Sequence, residues 1–579
     1  MLIKLTVRNF KGLAEAEIEL GNPVVFIGPN DSGKTSALQA LTLWDLGLRR
    51  WVEKRGDSAP EKRPGVAINR RDLASVPVPS ALQIWKELQV RRTYHNDSGQ
   101  QRTENICIEV RVDGQTGASF WSCGLEFDYA NPESFYCRPL RTVPDGSARM
   151  PVPEQALRPQ VVLLGPMSGL AANETKLESG AVKVRLGEGR TAEVLRNLCY
   201  QVLELPDGED RWSDLSRSLE GLFGVQMDQP RLLAERGEIE LTYRTRDGAC
   251  LDLAASGRGM QQTLLLLSFI ALHPGSVVLL DEPDAHLEIL RQRQTYELLS
   301  QAASENGTQI IAASHSEVVL NEAAERGTVV AFVGTPHRLN KSSNVLKALR
   351  YIGFEDYYQA EITGLVLYLE GSTDLSILRS FAELLGHTAQ ELLERPFVHY
   401  VGDQLNNARK HFHGLREAKP DLMGFALFDR LERHDLDAGG DLAEQMWPRR
   451  EIENYLLPAV ALGRYAQQQG AMVYDGDLLA VHETRRWEEA MGIALKDRVP
   501  PAALRNPDDA YWLDTKISDN LLTPVFSAFF KALELPNSMS KADYYRLVRC
   551  LEPEEVHQDV VDILDAIVAQ HLKAKSAIT

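Results

Sequence analysis

The sequence predicts an α/β protein built on two successive sheet modules, and three short stretches carry that expectation. GPNDSGKTS (Gly28–Ser36) stands between an apolar run and a helical pattern. VVLLDEP (277–283) is a short β-prone run closing in two acids, and VLYLEGSTDLSIL (366–378) repeats that theme with Glu370 and Asp374. Apolar runs of this kind read as buried parallel strands, and the carboxyl ends of such strands are where open α/β sheets place ligands.

The bulk numbers bound the rest. The chain has 579 residues, 44% hydrophobic and 25% charged, enough for about three or four modules or two large ones. A net charge of −18 disfavours a surface coated in basic residues. A polynucleotide partner would need a local basic groove or screening metal ions. Six cysteines (107, 123, 137, 199, 250 and 550) include no C-x-x-C pair, which points to reduced thiols rather than a disulfide framework or a cysteine zinc site. MLIKLTVRNFKGL at the start alternates like a strand and lacks a signal-peptide core. The most apolar run, around Thr263–Leu272, is stopped by His273-Pro274-Gly275, short of the ~20 residues a membrane span needs. A soluble cytoplasmic chain without a membrane partner is expected.

Taken in order, LIKLTVRNF, AEIEL and PVVFIG read as strands, and residues 36–48 as a helix with Leu38, Leu41 and Leu43 on its apolar side. From about 80 to 140 the period becomes two. ENICIEVRVDG puts Ile106, Ile108, Val110 and Val112 on one face. This reads as an antiparallel sheet inserted in the first module. Residues 190–223 turn helical, so the insertion, about 80–235, is a sheet plus a helical arm. EIELTYRT-RDG-ACLDL predicts a hairpin, TQIIAASHS and GTVVAFVG two more strands, and TPHRLNKSSN (335–344) a linker. The expected organisation is a first module over 1–345, a connecting helix over 346–361, a second module over 362–465 and a mostly helical extension over 466–579. Repeats and sustained heptads are absent, and with them any long coiled-coil arm.

GPNDSGKTS fits G-x-x-x-x-G-K-[ST] in the strand-to-helix setting that motif requires. Gly28, Asn30, Ser32, Gly33, Lys34, Thr35 and Ser36 are the candidate nucleotide ligands. Backbone N–H groups would close around phosphate oxygens, Lys34 would meet the β and γ phosphates, and Thr35 would offer its hydroxyl to Mg²⁺. Asp281 would orient Mg²⁺ or its water, and Glu282 would polarise the attacking water.

SGRGMQQ (256–262), ahead of a helix, resembles the signature loop of ABC-type P-loop ATPases. His315 in ASHS matches that family's switch histidine, and Asp284 resembles the loop that crosses its dimer interface. The resemblance implies ATP and Mg²⁺ as cofactors. It also implies that Ser256, Gly257, Gly259 and Gln261 cap a nucleotide bound by the opposite protomer, hence a homodimer or higher homo-oligomer. The inserted segment and the missing membrane domain are similar to the RecF/SMC-like branch, above all to the OLD (overcoming lysogenisation defect) ATPases.

In the second module, Glu370 would end one strand, and Asp374 would sit in the first turn of the next helix. RPFVHYVG (395–402) and LMGFALFD (422–429) would add two strands, the latter ending in Asp429. Clustered carboxylates repel, and usually persist because a divalent cation lies between them. This order of acids resembles a TOPRIM domain. Glu370 and Asp429 match the family's glutamate and first aspartate. Leu431 stands where the family has its second aspartate, with Glu432, Asp435 and Asp437 nearby at other spacings. WPRREIENYLLP (447–458) resembles a feature of the TOPRIM effector of PARIS, the phage anti-restriction-induced defence system; the ATPase-TOPRIM proteins of Gabija defence are similar in plan. By this resemblance Glu451 and Glu453, two apart, would share a face if extended and add metal ligands, while Arg449 and Arg450 would hold phosphate. The alternative is a charged helix start anchored by Tyr455-Leu456-Leu457.

The resemblance as a whole implies an ATPase that gates a metal-dependent endonuclease in anti-phage defence. Its catalytic groups would be Lys34, Glu282, His315, Glu370 and Asp429, and its metal ligands Thr35, Asp281, Glu370, Asp374, Asp429, Glu451 and Glu453. Mg²⁺, with Mn²⁺ as the alternative at the second site, would serve as cofactor. DNA or RNA would be the substrate, and a phage-derived trigger or companion defence protein a partner. Two rival readings are an ATPase sensor or scaffold whose degenerate second module binds without cutting, and a RecF-like DNA repair ATPase. Lys516 and Lys541 read either as backbone contacts or as ordinary surface lysines.

Overall fold

Val24–Ile27, with all four side chains buried, lies inside a six-stranded sheet in the computed structural model of the protein. The structure describes residues 1–576 apart from 57–64, 74–75, 96–100, 143–147, 340–352, 403, 431–435, 457, 473–476 and 507–508. It divides into two units, Met1–Leu346 and Lys347–Thr579.

In the first unit the sheet order is Val161–Leu164, Val277–Asp281, Gln309–Ser314, Val24–Ile27, Thr328–Ala331 and His337–Leu339. The first five run parallel and the last is an antiparallel edge. Asp281 pairs beside Ala313, and Ser314 beside Ile27. Three strand ends therefore open side by side, as the carboxyl edge of a parallel sheet must to gather ligands from distant sequence.

Against this sheet packs the helix Lys34–Arg55, which buries Ala37, Leu38, Leu41, Trp44 and Leu48. Its other side meets a second, antiparallel sheet in the order Leu13–Glu19, Leu2–Phe10, Ile108–Thr116, Ser119–Asn131, Ser134–Pro139 and Val66–Asn69. Trp44 Nε1 donates to the Cys123 carbonyl at 3.0 Å. At Gly47 any Cβ would lie 2.8 Å from the Phe127 ring, so glycine is what lets helix and sheet approach. One apolar core runs through both sheets and the helix.

This corrects the expected insertion. Residues 108–139 do not form a separate sheet; they extend the N-terminal hairpin, because Leu2–Phe10 has a free edge that Ile108–Thr116 completes. Val161–Leu164, also inside the expected insertion, is a strand of the parallel sheet. Nor do the helices leave as an arm: Leu195–Leu203 and Gly208–Phe223 pack on Arg258–Leu272, burying Leu198, Val202, Trp212 and Leu219. The expected linker begins with the strand His337–Leu339, while 340–352, and with them most of the expected connecting helix, lie outside the described residues.

The second unit centres on four parallel strands in the order Phe397–Tyr400, Leu365–Leu369, Met423–Phe428 and Leu442–Met446. Leu442–Met446 was not expected, since LAEQM is short and half polar. Alternate residues of Leu365–Leu369 enter two cores: Leu365, Leu367 and Leu369 one, Val366 and Tyr368 the other. The helices beyond 466 join the first of these cores through Trp487, Phe526, Phe529 and Phe530. They form part of the unit's interior rather than an appended extension. No helix among the described residues is long and apolar enough to cross a membrane.

Candidate functional site

The phosphate loop is shaped by its glycines. Gly33 has φ +96°, a left-handed conformation glycine adopts without steric cost, and starts the helix Lys34–Arg55. A Cβ at Gly28 would sit 2.8 Å from both the Phe332 carbonyl and Ser32 Oγ. Among the described residues that buried Oγ has no hydrogen-bond partner, the condition of a hydroxyl in a cradle built for an acceptor it has not met. Lys34 Nζ turns back onto the Gly28 and Pro29 carbonyls at 2.7 and 2.6 Å. Burial lowers its pKa, opposed by the charges of Asp281 and Glu282. A phosphate would give this ammonium a full counter-charge in place of two carbonyls. Asn30 and Thr35 are exposed at the loop and Ser36 is half-buried.

Thr35 Oγ1 donates to Asp281 Oδ1 at 3.1 Å, so the two groups assigned to Mg²⁺ are already in register. Burial holds the Asp281 carboxyl up at about 6, a strain that a bound cation removes. Glu282 has φ +51°, rare for a residue with a side chain, and its N–H is tied to the Ala313 carbonyl at 2.9 Å. Its Oε1 lies 4.0 Å from His315 Nδ1, and both side chains are substantially exposed. Water can therefore reach the acid, and the histidine stands at its side.

The signature-like loop behaves unevenly. Gly257 is exposed ahead of the helix Arg258–Leu272, whose free N–H groups suit an anion. Gly259 is half-buried, and Ser256 Oγ donates to the Leu253 carbonyl at 2.7 Å. Gln261 departs from its expected role. It is buried, and its amide donates to the Leu253 and Ser256 carbonyls at 3.3 and 3.1 Å, so it shapes the loop instead of facing a nucleotide. Asp284 is 5% exposed and bonded to Ser314, so its carboxylate is held inside this unit rather than offered to solvent.

Residues 198–321 match the family model described as "AAA domain, putative AbiEii toxin, Type IV TA system", and residues 1–44 match "AAA ATPase domain". These two matches identify an AAA-type ATPase domain within the first unit. No curated protein sequence matches the chain. Among solved structures, the SMC head domain from Thermotoga maritima is 15% identical, covering 58% of this chain and 98% of its own, with a TM-score of 0.32. An SmcHead bound to the C-winged helix domain of ScpA is 13% identical over 59% and 98%, with a TM-score of 0.34. Overlap this low assigns neither substrate nor partner to the ATPase.

Outside the ATPase unit, the acids of the second module converge. Glu370 follows the strand Leu365–Leu369, and Asp429 follows Met423–Phe428, its neighbour in the sheet. Asp429 lies within hydrogen-bonding reach of Glu370. Burial, then the charges of Glu370 and Asp374, push it up to about 9. Asp374 accepts the Gly371 N–H at 2.7 Å, capping its helix. Burial, countered by that bond and reinforced by Glu370, raises its carboxyl to about 6. Behind them Glu453 is pushed up to about 8 by burial and by the charge of Glu451. Asp374, Asp429 and Glu453 are held where burial and neighbouring negative charge make ionisation costly, and a divalent cation is the group that relieves that cost. Even so, among the described residues no three of them bring oxygens within 4.8 Å of one another.

Glu451 and Glu453 do not share an extended face. Glu453 sits in the short helix Ile452–Tyr455, which Glu451 precedes. Glu451 is buried and accepts both the N–H and the hydroxyl of Ser518. Leu431, Glu432 and Asp435 lie outside the described residues, and Asp437 accepts the Gly439 N–H at 3.0 Å within its own turn. Arg449 is not free for phosphate: it is 5% exposed, donates to the Asn454 carbonyl at 3.0 Å and lies 4.9 Å from the Tyr455 ring centre. Arg450 is half-buried. Arg449→Ala is expected to destabilise the second unit by about 2–4 kcal/mol without altering nucleic-acid affinity, as checked by chemical denaturation and filter binding.

The helical region brings to this site the two lysines that the sequence leaves as either backbone contacts or surface residues. Lys516 is held up chiefly by its hydrogen bond to Asp519 and is close enough to Glu451 and Glu370 to gain from their charges as well, and Lys541 acts on Asp374, Glu451 and Glu453. Both lysines flank Asp519, at 3.2 and 3.9 Å. An acid-lysine spacing fixed across some 150 residues carries no local periodicity.

Proposed function

We propose that the chain is an ATP-switched, divalent-metal-dependent nuclease acting in anti-phage defence, and that it works as a homodimer or higher homo-oligomer. The observation that carries the nuclease reading is the convergence of Glu370, Asp374 and Asp429 at neighbouring strand ends with Lys516 and Lys541 close by. Glu370, Asp374 and Asp429 would hold the cations, which when bound supply an activated water and stabilise the leaving oxygen of a phosphodiester. Lys516 and Lys541 would attract the polynucleotide backbone, giving a protein of charge −18 the local basic contact it needs. In the ATPase, Lys34, Thr35 and Asp281 would hold nucleotide and Mg²⁺, and Glu282 would take a proton from the attacking water, with His315 orienting it. The defence role rests on the resemblance of the ATPase motifs to OLD proteins and of WPRREIENYLLP (447–458) to the PARIS effector.

Incubation of the full chain with DNA and with RNA, in Mg²⁺ and in Mn²⁺, tests the reading. Cleavage by the wild type is expected to fall by at least about 10²-fold in Glu370→Ala, with ATP turnover retained. The scaffold reading is favoured by Leu431 in the second acid position and by the spread of the carboxylate oxygens. Intact ATP turnover with no cleavage under any of these conditions would establish it. Loss of protection in phage plaque assays with Glu370→Ala cells tests the defence role.

A further inference from the structure

A second cluster of ligating side chains lies in the same unit, and the nuclease reading does not use it. Asp356 on the helix Phe354–Thr363, His399 on the strand Phe397–Tyr400 and His411 on the helix Leu405–Ala418 bring one ligand atom each within 4.8 Å of one another. Among the described residues they are the one such group of three His, Cys, Asp or Glu side chains. Asp356 Oδ2 is 3.0 Å from His411 Nε2 and 3.7 Å from His399 Nδ1. The two imidazoles stack 3.8 Å apart at 11°.

We propose that Asp356, His399 and His411 form a binding site for a transition-type divalent cation of the zinc class. Two imidazoles and one carboxylate are a nitrogen-rich donor set that Zn²⁺ and its neighbours prefer and Mg²⁺ does not. Two atoms each about 2.1 Å from a tetrahedral ion lie roughly 3.4 Å apart; the 3.0 and 3.7 Å separations from Asp356 bracket that value, and the stacked rings must tilt out of parallel for both nitrogen lone pairs to meet one ion. The outer shell is in place as well. His411 Nδ1 is 2.9 Å from the Tyr368 hydroxyl. With a metal on Nε2, Nδ1 carries the proton and donates to that oxygen, which fixes tautomer and ring orientation. His399 and Asp356 keep 36% and 25% of their side chains exposed, so ions can enter and a fourth position is open to water. The site joins three elements separated in sequence. Its occupancy would tie the edge strand Phe397–Tyr400 to both helices that pack there.

The inference stands independently of the nuclease reading, and the test separates the two. Zn²⁺ is titrated into the full-length protein against a chromogenic chelator. One equivalent per chain is expected to disappear in His399→Ala and in His411→Ala and to persist in Asp429→Ala. Tyr368→Phe is expected to weaken it by about 10–100-fold, the usual effect of an outer-shell partner. Zn²⁺ should also raise the melting temperature of the wild type and leave that of His399→Ala unmoved. His399 is the most exposed of the three and makes no contact with Tyr368 closer than ring packing, so its alanine variant keeps the Tyr368–His411–Asp356 chain if His411→Ala fails to fold. Identical titrations for wild type and His399→Ala overturn the proposal, as does Zn²⁺ binding too weak to compete with the chelator.

Discussion

Lys34→Ala is expected to lower ATP turnover by about 10²–10³-fold, the range seen when a positioned charge-stabilising donor is removed from a reacting oxyanion. The structure supplies the reason: the ammonium is buried in the loop and rests on the Gly28 and Pro29 carbonyls, so a phosphate is the natural counter-charge. Glu282→Gln should separate binding from chemistry. It keeps the side chain's shape at φ +51° but removes the base. ATP affinity is expected to hold while turnover falls by a similar factor and dimers accumulate. Equilibrium binding of a fluorescent ATP analogue, phosphate release and light scattering check the three statements. Retained turnover in Lys34→Ala contradicts the phosphate-loop assignment.

Asp429→Asn should have the second large effect, and in an unusual direction. Its carboxyl is raised from 3.8 to about 9 by burial and by Glu370. A carboxyl raised on folding stabilises the fold while protonated, so its contribution is whole below about pH 4 and is lost as pH rises through about 9. The metal-free wild type should therefore lose stability over that window. The asparagine variant, which cannot ionise, should melt higher than wild type at pH 8.5, by about 2–4 °C for each kcal/mol of repulsion removed. Mg²⁺ or Mn²⁺ should raise the wild-type melting temperature at pH 8.5 but not at pH 4, and should act weakly on Asp429→Asn. Calorimetric scans across pH, with and without metal, check all three. A variant that melts lower than wild type at pH 8.5 would count against a strained acid pair.

Much of the ATPase was legible because its chemistry fixes short spacings. A loop that wraps phosphate needs its glycines, lysine and threonine within nine residues, and the acid pair must end a strand. Asp429 and Glu370 were legible for the same reason. What stayed hidden was pairing between distant segments. Nothing in IEVRVDG says that its partner is Leu2–Phe10, and Val161–Leu164 looks like any short apolar run until it lies beside Val277–Asp281. Gln261 and Asp284 were read from motif position, yet burial decides what a polar side chain can touch. Asp356, His399 and His411 each look ordinary in sequence, because the triad exists only once three elements meet.

The position of Val24–Ile27 between Gln309–Ser314 and Thr328–Ala331 has a consequence for biosynthesis. Both neighbours are made roughly 300 residues after it, which at ~5–20 residues per second leaves that apolar segment unpaired for on the order of 15–60 s. The nucleotide pocket cannot be completed while the ribosome is still translating the intervening chain. The nascent front half should therefore depend on holding chaperones, and its solubility should respond more to slowed translation after residue 34 than to any change near the terminus.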